Sequence, residues 1–478
     1  MSGAGNTYTG NTVVSGGTLQ AGANNVLGVG DLDVSVAGAI FNLAGFDQSV
    51  DELNGVAGAI VTNDAGSTAN IATLTVTGGG AYAGDITENG TDTLTLVKSG
   101  SGTQSLSVVN GTYDGATTVS GGTLLITTAA SLGTASGQTT ASTGTLDLGA
   151  FALASTETIN LTGSGAGGVG ALTGTASVAA SNAIAVTGTG AIGASGTFTI
   201  NSVIGGSGNL SKVGAGDLVL TANNSYAGAT TVAAGTLTTG AANVLDNSSG
   251  VSVSSGATLN LAGFNQAVTK LDGVAGSVVT NDAGNTGDTA TLTITGGGGS
   301  YAGNLTQNGG DDLSVTKSGS GSQSFAVATG TYAGATLISG GTLSISTAAS
   351  LGTLAAGTTA NGGTLDLNGF ALITGEDISL SGTGNGGAGA LTGTGTASIA
   401  SPVTLIGNAS IGGAGTLTVN SILAESGGAR ALTKTGAGTL ILANPGNTYS
   451  GATNVAQGAL QAGAVDVLDN SSGLNITA

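Results

Sequence analysis

Short alternating runs of polar and apolar residues recur along the chain: TLTVT over residues 73–77, TLTLV over 93–97, SLSVV over 105–109, TFTI over 197–200, TLTIT over 291–295 and TLTV over 416–419. A strand sends successive side chains to opposite faces, so a period of two with β-branched residues predicts half-buried β-strands. Gly, Asn, Asp or Ser bounds each run, which makes the strands brief and the turns frequent. No stretch keeps a helical period, and the chain reads as all-β.

The pattern is also repeated on a larger scale. Five segments share one motif: YTGNTVVSGGTL from Tyr8, YDGATTVSGGTL from Tyr113, YAGATTVAAGTL from Tyr226, YAGATLISGGTL from Tyr332 and YSGATNVAQGAL from Tyr449, spaced by 105, 113, 106 and 117 residues. A K-x-G-x-G motif starting at Lys98, Lys212, Lys317 and Lys434 precedes four of those tyrosines by 14 or 15 residues. A longer repeat lies above these: NLAGF returns from Phe46 at Phe264, TNDAG from Asp64 at Asp282, and TLDLGAF ending at Phe151 returns as TLDLNGF ending at Phe370. The expected organisation is a lead-in over 1–7, a first long unit over 8–225, a second over 226–448 and the start of a third over 449–478, without linkers.

Composition narrows the architecture. Of 478 residues 92 are Gly, 3% are aromatic, 6% are charged and two are Pro, while 40% are hydrophobic, with neither Trp nor Cys. Glycine at that density would cost a helix about 1 kcal/mol at each occurrence. A sandwich or propeller needs bulky packing between sheets about 10 Å apart, whereas a solenoid fills a narrow bore with stacked Val, Ile, Leu and Ala. The predicted fold is therefore a right-handed parallel β-helix, a β-solenoid drawn out as an elongated rod. At about 22 residues per coil and about 4.8 Å per coil it would have on the order of 20 coils and a length of roughly 100 Å. Such a fold grows by duplication because each coil contacts only its neighbours.

The same counts exclude several functions. Without His or Cys there is no Ser-His-Asp triad, no Cys-His dyad and no thiolate or imidazole zinc site. Six basic against 25 acidic residues give a net charge of -19, which leaves no Lys/Arg footprint for nucleic acid. The residues after Met1 do not form a signal peptide, and no apolar run is long enough for a spanning helix. The chain reads as soluble, which is compatible with a piece excised from a secreted protein.

The segment LTKTGAGTLIL from Leu432, followed by NTYSGATNVAQGALQAG from Asn447, resembles the passenger-associated repeat of bacterial autotransporters. The likeness occurs in four full copies, with a fifth at the N-terminus that lacks its lysine half. It implies a right-handed parallel β-helical passenger stalk on the surface of, or secreted from, a Gram-negative cell. It also implies that a C-terminal outer-membrane barrel, which is not in this sequence, anchors the parent protein.

Lys98, Lys212, Lys317 and Lys434 could form a row of ligand contacts; the favoured reading places each at a strand end with its stem on apolar surface and its ammonium in water. Tyr113, Tyr226, Tyr332 and Tyr449 are read as strand-turn packing residues rather than a sugar-stacking platform. The pairs Asp51/Glu52, Asp311/Asp312 and Glu376/Asp377 could suggest a glycosidase, which needs two carboxyls at a set separation. They are read as solvated turn residues, because the second unit replaces the first pair by Thr269 and Lys270. Arg430, the single arginine, is too little for a polyuronate lyase. Gly309, Gly310, Asp311 and Asp312 supply only a fragment of the calcium-binding nonapeptide, and threonine runs such as Thr73, Thr75 and Thr77 do not recur in every coil as an ice-binding face would require. No catalytic, cofactor-binding or metal residue is assigned. The expected role is a structural stalk or adhesin segment that supports attachment and self-association, with possible partners a host or environmental surface or a glycan. Alternatives are a glycan- or protein-receptor module on one face and a polysaccharide-degrading β-helix enzyme.

Overall fold

The computed structural model describes every residue except 2–5, 180, 285, 374 and 478. Residues 2–5 of the expected lead-in therefore lie outside the described residues. The chain forms two compact units, Met1–Leu237 and Thr238–Ala478. Each is a parallel β-solenoid, and the two together contain about 22 turns. Helical structure among the described residues is confined to four short 3-10 turns, Ala129–Leu132, Ala166–Gly168, Ala348–Leu351 and Asn385–Gly387.

The alternating runs form strands as their period requires. TFTI and TLTV occupy Thr197–Ile200 and Thr416–Val419, while the runs at 73 and 93 extend into Ile71–Val76 and Thr93–Lys98. SLSVV departs from the prediction: its strand, Thr103–Leu106, ends early. The chain turns there because the Val108 amide donates to Ser131 Oγ at 3.3 Å, leaving Val109 exposed.

Within Met1–Leu237, one eight-stranded sheet shows how the core is built. Its register stacks an inward column of Val50, Val76, Lys98, Val119, Ala141, Leu161 and Val186. A second inward column runs Gln48, Leu74, Leu96, Thr117, Thr139, Ile159, Ile184 and Ile204. Thr238–Ala478 repeats the first column as Val268, Ile294, Lys317, Ile338, Ala360, Leu380 and Leu405. Each buried Val, Leu or Ile contributes about 1.5–3 kcal/mol, so the aliphatic columns hold the coils together without large rings. Lys98 and Lys317 stand within these columns, in phase with leucine.

Two buried glutamines enter the core where they complete the ladder. Gly80–Tyr82 pairs with Leu53–Gly55 at one position, Gly55 to Tyr82, which leaves the Leu53 backbone without its regular partner. Gln104 fills that gap with its side chain, donating from Nε2 to the Leu53 carbonyl at 2.9 Å and accepting the Leu53 amide at 3.2 Å. Gln323 does the same for Leu271, at 2.8 and 3.2 Å. A buried amide satisfied on both sides repairs a ladder that would otherwise leave backbone groups orphaned.

Candidate functional site: the lysine and tyrosine corners

The four repeated lysines are not solvated. Lys98, Lys212, Lys317 and Lys434 are each at most 1% exposed, which corrects the expectation of an ammonium in water. The cause is strand phase: each side chain points inward from its strand and curls back to the corner that follows. There its Nζ finds carbonyl oxygens. Lys212 donates to the carbonyls of Val213 at 3.0 Å, Gly214 at 2.8 Å and Ala234 at 3.0 Å. Lys434 repeats this with Thr435 at 2.7 Å, Gly436 at 2.6 Å and Gln457 at 3.0 Å. Lys98 donates to Ser99 at 2.6 Å and, more loosely, to Gly121, and Lys317 donates to Ser318. For Lys98, Lys212 and Lys434 one acceptor lies 22 or 23 residues further on, so the ammonium ties a corner to the corner of the next coil. Burial pushes all four below the ordinary lysine range, Lys212 down to about 8; Asp51 and Asp217 oppose that shift at Lys98 and Lys212.

A cation held this way is a staple, and its removal has a calculable consequence. Lys212→Met keeps the apolar stem but strips three carbonyls of their donor. Hydrogen bonds to a charged group are worth about 1.5–3 kcal/mol each, and sparing the buried charge its desolvation offsets part of the loss. The expected net destabilisation is about 2–4 kcal/mol. Lys270→Met, which breaks only the half-exposed 2.9 Å pair with Asp272, should cost under about 1 kcal/mol. Urea unfolding of both variants tests the contrast; equal effects would refute the staple.

The tyrosines behave as packing residues. Tyr113, Tyr226, Tyr332 and Tyr449 are at most 1% exposed, and each hydroxyl shares a hydrogen bond with the threonine four residues later: Thr117 at 2.9 Å, Thr230 at 2.6 Å, Thr336 at 2.8 Å and Thr453 at 2.8 Å. Tyr8 and Thr12 make the same pair at 2.6 Å. Tyr113 and Tyr332 also donate to the carbonyls of Ser131 and Ser350, both at 2.9 Å. The threonine belongs to the motif, which reads Y-x-G-x-T in all five copies, although by type it looks like an ordinary strand residue.

Two of the three carboxylate pairs need correction. Asp311 is fully buried and Glu376 is 2% exposed, whereas Asp312 and Asp377 are exposed. Asp311 anchors a loop: its Oδ2 accepts the Ala283 amide at 2.8 Å, and its Oδ1 accepts those of Thr286, Gly287 and Asp288 at 2.9, 2.9 and 3.1 Å. Asp92 does the same for Ala65, Ser67, Thr68 and Asn70. Burial acts to raise the Asp92 pKa, but the four amide donors outweigh it and hold the carboxyl below its ordinary value. This loop is the repeated TNDAG segment, so that motif is a structural turn held by an aspartate of the next coil.

The surface grooves carry little chemistry. A cleft of about 540 Å³ is lined by Asp147, Val169, Thr173, Thr175, Ser195 and several glycines, and Asp147 is its single ionisable group. Its Oδ1 already accepts the Gly149 amide at 2.9 Å and the Thr173 hydroxyl at 3.0 Å. Glu157 is likewise alone in a second cleft, and Asp272 in a third. Among the described residues no three acidic side chains converge as a metal site would need.

Comparison with known proteins agrees with this geometry. The family model of the passenger-associated-transport-repeat matches residues 1–21, 96–126, 210–238, 315–345 and 432–462. Four of these five segments contain a buried lysine and the tyrosine that follows it in sequence, and the first contains Tyr8. The chain is also 38% identical over 152 residues to the Adhesin BmaC autotransporter of Brucella suis biovar 1 (strain 1330); the match covers 30% of this chain and 4% of that much longer protein. No solved structure matches. The chain thus carries five passenger-associated-transport repeats and is similar over part of its length to an autotransporter adhesin. That likeness supports a place at the surface of a Gram-negative cell or among its secreted proteins.

Proposed function

We propose that this chain is the non-catalytic stalk of a surface adhesin, presenting attachment surfaces and associating with further copies of itself. The observation that carries this reading is that the repeated charged and aromatic residues are spent on holding one coil to the next, with the lysines and tyrosines buried in the corners. The described clefts over Asp147, Glu157 and Asp272 each offer one carboxyl where glycoside hydrolysis requires two. The relative's printed name, an adhesin, supports the same role.

Self-association draws support from one face. In Met1–Leu237 the outward column of the eight-stranded sheet runs Ser49, Thr75, Val97, Thr118, Thr140, Asn160 and Ala185, without a charge in a chain of net charge -19. Two copies repel through exposed carboxylates but can approach on such a surface. Beads coated with the purified chain should cluster and should adhere to epithelial or glycan-coated surfaces above a blank. Thr118→Asp with Thr140→Asp should reduce clustering. Turnover of a polysaccharide by the purified chain, with no adherence, would overturn the reading.

A further inference from the structure

Two buried carboxyls take no part in the corners described above. Glu157 is 3% exposed and Glu376 is 2% exposed, and they occupy corresponding places, one in each compact unit. Each accepts one side-chain hydrogen bond from the coil beneath: Thr139 Oγ1 to Glu157 Oε1 at 2.9 Å, and Thr358 Oγ1 to Glu376 Oε1 at 2.8 Å. The other oxygen of Glu157, Oε2, is buried with no partner. That arrangement contrasts with Asp92 and Asp311, which have four backbone amides apiece to carry their charge.

The neighbours supply no cation. Two strands further back in the stack, the titratable group facing Glu157 is Tyr113, itself bonded to Thr117 and Ser131. From the coil above comes Asn182, which is uncharged and donates to Ser155 Oγ at 2.8 Å and to the Glu157 carbonyl at 3.2 Å. Tyr332 and Asp377 are the titratable groups facing Glu376, and the aspartate adds repulsion. Among the described residues the ion pair is Lys270 with Asp272, far from both in sequence. A buried carboxylate with neither cation nor amide nest is expensive to ionise. Glu157 also lines a cleft of about 530 Å³ with Gly111, Ala130, Gly133, Ser155 and Ser181, so water needs to travel only a short way to reach it once the corner loosens.

We propose that Glu157 and Glu376 are proton-operated latches, one in each unit. In mild acid each is a neutral acid and its corner is closed; as the pH rises each becomes a carboxylate that draws water into the corner and loosens it. Burial pushes both carboxyls up, Glu157 to about 7 from an ordinary 4.5. The sign follows from linkage. The folded state holds protons that the unfolded chain has released, so the latch's stabilisation is complete below about pH 4.5 and is lost as pH rises through about 7.

The test is a series of thermal midpoints of the full chain, read by circular dichroism between about pH 5 and 8. The wild type should melt several degrees higher at the acid end. Surface carboxylates also contribute to such a trend, so Asp469→Asn, exposed and apart from both glutamates in sequence, serves as the control and should leave most of it in place. Glu157→Gln with Glu376→Gln, which mimic the neutral acids, should flatten the trend and raise the midpoint at pH 8. A double variant with the full wild-type pH dependence, or one less stable than wild type at pH 8, overturns the proposal. Infrared spectra of the wild type give a second reading should the double variant fail to fold: a protonated-carboxyl band persisting near pH 6 supports the latch, and its absence refutes it. Neither measurement depends on the adhesin reading.

Discussion

Raising the pH above about 10 should unfold both units steeply. Tyr82, Tyr113 and Tyr226 in Met1–Leu237, and Tyr301, Tyr332 and Tyr449 in Thr238–Ala478, are at most 1% exposed. Burial raises the pKa of all six, Tyr226 to about 12 and four others beyond that; carboxylates add to the shift at Tyr82, Tyr113 and Tyr332. The unfolded chain releases phenol protons near 10, while the native state keeps them. The stabilisation is therefore present below about pH 10 and is lost as pH climbs toward the folded values. With three such groups in a unit the slope is about 4 kcal/mol per pH unit, so a domain stability of about 5–15 kcal/mol is exhausted within a few pH units.

The buried lysines act with the opposite sign. Their depressed values mean that the unfolded chain binds more protons below the ordinary lysine value, for Lys212 between about 8 and 10.4, so stability creeps upward there before the tyrosines take over. Stability against pH should thus show a shallow rise and then a cliff. Tyrosinate absorbance and the β-sheet circular dichroism should change together at the cliff. Tyrosines that ionise near pH 10 while the sheet signal persists would show that their hydroxyls are not sealed in the corners.

Much of this was legible in the sequence, and the failures are specific. Period-two alternation gave the strands because a solenoid core faces one side of every strand. The same alternation placed Lys98 in phase with Leu94 and Leu96, which are buried with it. Lysine's preference for water argues for an exposed ammonium, but the phase of the strand overrides it. Asp311 and Glu376 were hidden for another reason. Asp311 receives its amides from residues 23 to 28 positions earlier, and Glu376 its hydroxyl from Thr358, so their environments exist only once the coil register is known. The Tyr hydroxyl partner, four residues away, was local and could have been read from the five copies of Y-x-G-x-T.

Coil register also explains a glycine whose role no single copy reveals. The glycine nine residues after each tyrosine is Gly17, Gly122, Gly235, Gly341 or Gly458, and all five have positive φ, from +58° to +74°. At Gly341 (φ +64°) a Cβ would lie 2.2 Å from the Gly321 carbonyl oxygen, 2.6 Å from that of Gly319 and 2.6 Å from Lys317 Nζ. The K-x-G-x-G corner of one coil thus closes on a glycine of the next, leaving no room for a side chain. At Gly17 (φ +62°) the position is open, with nothing within 4 Å of the same Cβ. Gly341→Val should therefore pay twice: about 1–2 kcal/mol for a left-handed non-glycine residue, and about 1–3 kcal/mol or more for forcing atoms into a packed corner. Gly17→Val should show the first cost alone. Denaturant unfolding monitored by circular dichroism should place Gly341→Val about 2–5 kcal/mol below wild type, with amide exchange accelerated first in the strands Asp312–Lys317 and Thr336–Ile338 that flank the corner. If the two valine variants lose the same stability, backbone conformation alone dictates the glycine, and the stacking of lysine corner on glycine is not what holds these coils in register.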